Sequence, residues 1–299
     1  ALVSTVGTRS VDFKGWEYIV GKLETAGLRR EVLETIFSDP RIGRREDLFF
    51  SIEPKESRVP YRRFVNKRNK ELALGCFAQF QDAFTRAKKE FGVSPAVVLS
   101  ILQLETACGR NTGSALVFPR LLRLAAAATP ENVERNIERY DAKKAPRDLA
   151  QKVAQRAQWL EDTFLPHVVA TIQLAAYKNS HPLELRGSSA GALGMPQFLP
   201  GNYLRYGVDG DGDGKVDLFS GPDAVLSVAN YLRNHGWSGS NPSLRAKRSS
   251  VWEYNRSQPY VDAVFSMASL VEPQIARLTR QPSQKTIAPS KEAADSATR

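Results

Sequence analysis

The chain has 299 residues, 42% of them hydrophobic and 25% charged, with a net charge of +10 at pH 7. That composition is ordinary for a soluble globular protein, and the length allows a substantial core in one large domain or two smaller ones. The charge favours anionic partners, but Lys and Arg are dispersed, and no RNP-like aromatic motif or zinc-finger spacing supports a nucleic-acid binder.

Residues 1–10 read as loose. Residues 11–26 have helical periodicity, with Phe13, Trp16, Ile19, Val20 and Leu23 on one side and Gly27 as the stop. A short helix is predicted over 29–37, ended by Ser38-Asp39-Pro40. Residues 39–64 are charged and irregular, residues 48–52 suit a short extended piece, and 58–64 read as a linker. One long helix is predicted over 69–91, with Leu72, Cys76, Phe80, Phe84 and Ala87 on its apolar side.

The next segment, residues 91–113, is FGVSPAVVLSILQLETACGRNTG. Ser94 and Pro95 mark a helix start, and Gly109 sits where about four turns would end. Val98, Ile101, Leu102 and Glu105 share one face, so a carboxylate stands on the stripe expected to face the interior. Burial raises the pKa of such a group, as does a helix C-terminus, and that turns a glutamate into a proton donor near neutral pH. A structural glutamate paired with one of the many arginines is the competing reading.

Further helices are predicted over 116–128, 147–164 and 166–177, the first ended by Thr129-Pro130 and the last two separated by Pro166. Residues 131–145 carry both charge signs and read as a solvated face. Residues 187–200, GSSAGALGMPQFLP, lack any phosphate-loop pattern. Their small residues suit close approach of a ligand or helix, with Ser188 and Gln197 either holding sugar groups or serving as turn and capping residues. Helices return over 224–234 and 252–270, and from Arg280 the polar tail reads as disordered. No internal repeat is visible, and strand content is expected to be small.

Asp209-Gly-Asp211-Gly-Asp213-Gly-Lys215-Val-Asp217 matches the first half of an EF-hand calcium loop, with Ser220 at position twelve where a glutamate is usual. A hard cation suits these carboxylates; a solvated acidic turn is the alternative. His167, His181 and His235 have no metal or triad spacing, His235 fitting a helix end before Gly236. Tyr254, Asn255 and Tyr260 offer aromatic and amide surfaces of the kind that hold sugars, or are core aromatics. Cys76 and Cys108 have no CxxC spacing; a disulfide and two buried thiols both stay open. No apolar run is long enough to span a membrane. The sequence shows no signal peptide and begins at Ala1 without Met, as either a mature form or a shortened chain would, and the compartment stays open on these grounds.

Three blocks in order, LETACGRNTG from Leu104, the segment from Leu185 to Trp237, and YNRSQPY from Tyr254, resemble the lytic transglycosylases of the membrane-bound B type, glycoside hydrolase family 103. The resemblance covers roughly residues 61–270. It implies a mainly α fold, a lysozyme-like helical core with an N-terminal helical region, a helical insertion and an EF-hand-like metal loop. The expected boundaries are 1–68 for the N-terminal region and linker, 69–270 for the catalytic core with its insertion about 130–180, and 271–299 for a disordered tail.

By the same resemblance Glu105 is the single catalytic acid/base, and Ser188, Gln197, Tyr231, Tyr254, Asn255, Tyr260 and Tyr61 line a saccharide cleft. Asp209, Asp211, Asp213, the Lys215 carbonyl and Asp223 would hold a structural Ca2+, or Na+, and no organic cofactor is expected. The implied activity is cleavage of peptidoglycan between N-acetylmuramic acid and N-acetylglucosamine, leaving 1,6-anhydro ends. The implied setting is the periplasm or envelope of a bacterium, with a monomer acting on glycan strands, no nucleic-acid partner, and membrane association only through a lipid anchor outside this chain. A hydrolytic muramidase on the same fold and a non-catalytic wall-binding module are the rivals. Cys108 departs from the family pattern, which has an aromatic residue there.

Overall fold

The computed structural model describes residues 11–54, 61, 64–140, 145–238 and 242–280. Helix α1 (Glu17–Thr25) buries Ile19, Val20 and Leu23, the apolar face that the spacing picks out, and helix α2 (Arg30–Phe37) buries Leu33, Ile36 and Phe37. Residues 48–52 pair with no strand. The Leu48 N–H donates to Asn132 Oδ1 (2.7 Å), the Phe50 N–H donates to Asn136 Oδ1 (3.2 Å), and Asn136 Nδ2 returns a bond to the Leu48 carbonyl (2.9 Å). Side-chain amides therefore take the place of a neighbouring strand.

Those amides come from a helix. Residues 131–145, expected as a solvated face, include α7 (Pro130–Glu138), whose Asn132 and Asn136 are buried. It follows α6 (Val117–Ala125) and a short 3-10 turn (Ala126–Ala128).

The long helix expected over 69–91 is two, α3 (Lys67–Gln79) and α4 (Gln81–Phe91), with Phe80 outside helical geometry between them (φ −118°, ψ 29°). Conversely, the two helices expected on either side of Pro166 are one, α8 (Leu149–Tyr177), 29 residues long. An interior proline costs about 3 kcal/mol. Here Val153, Ala157 and Leu160 before it, and Val168, Ile172, Leu174 and Ala175 after it, are all buried, which offsets that cost. Near its middle the buried Glu161 accepts from Tyr18 (2.8 Å) and pairs with Lys22 (2.9 Å), binding α1 to α8.

Helix α5 (Pro95–Thr106) is buried on nearly every side, from Ala96 through Gln103, as a central helix must be. Helices α3, α4, α10 (Gly221–Asn234) and α12 (Gln258–Arg280) pack around it. The expected break at residue 270 falls inside α12, where Val271 and Ile275 are buried, so the packed structure continues to Arg280. The rest of the expected tail, 281–299, lies outside the described residues. The helix expected over 252–270 is divided between α11 (Leu244–Tyr254) and α12.

Strand content is small. Strand β1 (Ala115–Leu116) pairs antiparallel with β2 (Arg186–Gly187), Ala115 opposite Gly187. Gly113, at φ +83°, sits so close to the Gly187 backbone that a side chain there would strike it. Helix α9 (Pro200–Tyr206) follows the glycine-rich segment. No helix among the described residues is long and apolar enough to cross a membrane.

Candidate active site

Glu105 stands in the last turn of α5, and its Oε1 accepts the phenolic hydrogen of Tyr260 at 2.7 Å. A cavity of about 220 Å³ opens at the carboxyl, lined by Tyr61, Phe64, Leu104, Glu105, Asn255 and Tyr260. Burial pushes the Glu105 pKa up to about 7, while the bond from Tyr260 pulls the other way. Tyr260 and Tyr254 are themselves held well above ordinary phenol by burial and by the nearby carboxyl, so both stay protonated donors. The sequence places a carboxyl on the buried stripe; the structure adds that its partner is a phenol and not an arginine.

The break between α11 and α12 aims two of these residues. Asn255 leaves helical geometry (φ −147°, ψ 115°), and Ser257 Oγ accepts from the Tyr260 N–H (3.1 Å) to start α12. Asn255 and Tyr260 thereby face one cavity. Tyr254 stacks parallel to Tyr260 at 6.4 Å and donates to the Pro196 carbonyl (2.5 Å). Tyr61 meets the Tyr260 ring edge-on at 6.1 Å. Tyr61 also walls a second cavity of about 380 Å³ with Val65, Gln258, Pro259, Asp262, Ala263 and Ser266, so the open space continues past it.

The residues drawn from 187–200 do not line the Glu105 cavity. Ser188 Oγ accepts from the Ala192 N–H (3.2 Å) across a tight turn, and Gln197 Nε2 donates to the carbonyls of Gly194 (2.9 Å) and Thr112 (3.3 Å). Tyr231 is buried behind Tyr254, its hydroxyl donating to the Glu253 carbonyl (2.7 Å) and its ring stacked on His235. Sequence reasoning missed three contributors. Phe64 and Leu104 wall the cavity, and Thr106 donates to the Met195 carbonyl (2.9 Å), docking the glycine-rich segment onto the end of α5. Leu104 is adjacent to Glu105, and Phe64 follows Tyr61 at a helical spacing of three; that spacing is the signal available for them.

Asp209, Asp211 and Asp223 form an acidic cluster, each offering a carboxylate oxygen within 4.8 Å of the others. Burial raises the Asp223 pKa, whereas backbone N–H groups, Gly214 first, hold Asp209 low. A buried carboxyl beside two others is a donor set that fits a hard cation. Asp213 is not in the group; its Oδ1 accepts from the Lys215 N–H (2.8 Å).

Over 185 residues, 62% of its length, the chain is 31% identical to the membrane-bound lytic murein transglycosylase B of Escherichia coli (strain K12). The match spans 43% of that protein, less than half its length. Among solved structures, a catenated lytic transglycosylase SltB1 from Pseudomonas aeruginosa superposes with a TM-score of 0.66 at 24% identity, covering 88% of this chain and 100% of that one. The lytic transglycosylase SLT35 of Escherichia coli, solved in complex with calcium, gives 0.63 at 22% identity over 88% and 94%. Both likenesses establish the lysozyme-like lytic transglycosylase fold for this chain. The family model described as the transglycosylase SLT domain matches residues 15–250, and the chain belongs to that family.

Proposed function

We propose that this protein is a peptidoglycan lytic transglycosylase, cleaving the β-1,4 bond between N-acetylmuramic acid and N-acetylglucosamine and leaving 1,6-anhydromuramic ends. One observation carries the reading: among the described residues that line the cavity, Glu105 is the only carboxyl, and it is poised as an acid near neutral pH. Glycosidases of the usual kind need two carboxylates flanking the bond. A lone acid suits a reaction in which the substrate supplies the second group.

Protonated Glu105 gives its hydrogen to the glycosidic oxygen, and the C1–O bond breaks as the leaving sugar departs. The substrate's acetamido group stabilises the cation at C1, and the Asn255 amide, which lines the same cavity, orients it. The Glu105 carboxylate, steadied by the Tyr260 hydroxyl, then takes the proton of the C6 hydroxyl, whose oxygen closes on C1. The acid is restored in one cycle. Tyr61, which walls both cavities, supplies a ring face for the sugars, Tyr254 and Tyr260 back it from within, and the second cavity beyond Tyr61 leaves room for more of the strand. Ser188, Gln197 and Tyr231 act by shaping the cleft wall through their own hydrogen bonds.

Asp209, Asp211 and Asp223 would hold a structural calcium ion, with the Lys215 carbonyl, and with Asp213 if its side chain turned from the Lys215 N–H, as the remaining ligands of an EF-hand-like loop. When bound it neutralises the carboxylates and fixes the loop ahead of α10; it takes no part in the reaction. A glycan-strand substrate puts the protein in the bacterial envelope. Mass spectrometry of digested peptidoglycan tests the reading: anhydro ends support it, and reducing ends carrying an added water favour a hydrolytic muramidase.

A further inference from the structure

Three consecutive residues end α5 with positive φ: Ala107 (50°), Cys108 (56°) and Gly109 (83°). Only the glycine adopts this left-handed geometry without a steric penalty. The turn begins two residues after Glu105, so whatever holds it also fixes the end of the helix that carries the carboxyl. Backbone bonds, a side-chain bond and a disulfide hold it. The Ala107 N–H donates to the Gln103 carbonyl (3.0 Å), the Cys108 N–H to the Leu102 carbonyl (3.0 Å), the Asn111 N–H to the Thr106 carbonyl (3.0 Å) and the Gly109 N–H to Thr106 Oγ1 (2.9 Å), and Cys108 forms a disulfide with Cys76 of α3. The bond joins residues 32 apart in sequence whose Cα atoms lie 6.2 Å apart, and Cys76 is buried. It settles the choice between a disulfide and two thiols, and it is the covalent contact among them.

We propose that Cys76 and Cys108 are positioning residues for Glu105: their disulfide holds residues 107–109 in the left-handed turn and so keeps the carboxyl seated in its cavity. The inference rests on the acid/base reading of Glu105. Released, the turn relaxes toward ordinary geometry, the last turn of α5 frays, and water reaches the carboxyl. The titratable groups facing Glu105 are Tyr260 from α12, Tyr254 from α11, and Tyr61; no other carboxyl and no Lys, Arg or His lines the cavity among the described residues. A change in the Glu105 titration therefore reports its hydration and its bond to Tyr260, not the loss of a neighbouring charge.

The test compares wild type, Cys76→Ala, Cys108→Gly, and Cys76→Ala combined with Cys108→Gly or Cys108→Val. The Glu105 carboxyl is titrated by carbon-13 NMR, and kcat, KM and Tm are measured on the same samples. Every variant loses the disulfide and melts at lower temperature. Cys76→Ala is expected to shift the titration acidward by about one pH unit. Its kcat should fall about tenfold, as a misplaced acid costs, with KM little changed. Glycine at 108 takes the left-handed geometry freely, so Cys108→Gly and the Gly double variant should return the titration and most of kcat, and Val should not. Wild-type titration and kcat in Cys76→Ala, or equal behaviour of the Gly and Val doubles, would overturn the proposal and leave the disulfide a simple brace. Because NMR needs no turnover, a wild-type protein that fails to cleave peptidoglycan would sink the functional reading while the titration still decides the positioning role.

Discussion

Tyr260 donates to Glu105 Oε1 across 2.7 Å, and this bond works against the burial that lifts the carboxyl to about 7. The phenol favours the charged form of the acid; desolvation favours the neutral one. In the proposed cycle Glu105 gives a proton and then takes one back, and both influences serve it.

Replacing Tyr260 with Phe removes the donor and keeps the ring. The Glu105 pKa then rises further, so the basic limb of the pH–rate profile should move up by about one unit. The rate at the optimum should fall, because the carboxylate needed for the second step loses its stabilising bond. A limb that stays in place would show that the bond has no influence on the acid.

The same shift is a statement about stability. Unfolded, the carboxyl titrates at its ordinary 4.5; folded, at about 7. Below 4.5 both states are protonated and no difference exists. Between 4.5 and 7 the folded state holds a proton that the unfolded state has released, so folding loses stability as pH rises, and above 7 the full penalty applies. Glu105→Gln escapes it and should be more stable than wild type by about 2 kcal/mol at pH 8, allowing for the solvent that reaches the cavity, with the gap closing by pH 4. Urea titrations at the two pH values check this, and a gap independent of pH contradicts it.

Gln103, also on α5, is 1% exposed, and its amide finds no hydrogen-bond partner among the described residues. Such an amide costs about 1–3 kcal/mol. Gln103→Met, which conserves shape, should therefore raise Tm. A fall would mean that the amide has a partner, such as a buried water.

Calcium should raise Tm, and a chelator should reverse the rise. At a hundredfold excess over Kd the gain is about 2.7 kcal/mol. Asp211→Asn removes one charge from the cluster without touching the two backbone bonds that Asp223 accepts from Gly210 (2.8 Å) and Asp217 (2.6 Å). It should weaken the calcium response while leaving the metal-free Tm near wild type. An undiminished response would remove Asp211 from the site.

Much of the molecule was legible in its residues, for stated reasons. The apolar stripe of α1 follows from spacing alone, and Pro95 and Gly236 punctuate as their chemistry requires; the single buried face expected of α5 widens to nearly the whole helix, because neighbours pack on every side of it. What local rules missed was tertiary. Phe80 interrupts a continuous helical pattern without any Gly or Pro; its ring packs against Gly221 at the start of α10, where any side chain would strike it. Pro166 fails to interrupt one because the surfaces on both sides are buried. The Tyr260 hydroxyl reaching Glu105 from 155 residues away is invisible to any periodicity. So is the pairing of Cys76 with Cys108, which only the approach of α3 to the end of α5 brings about.

The central claim is that Glu105 is the acid and the base of glycan cleavage. Glu105→Gln keeps an acceptor for Tyr260 and removes the proton that is transferred. Incubated with purified peptidoglycan, this variant should release no anhydro-ended fragments while still sedimenting with the wall as wild type does. Fragment release at the wild-type rate would contradict the account.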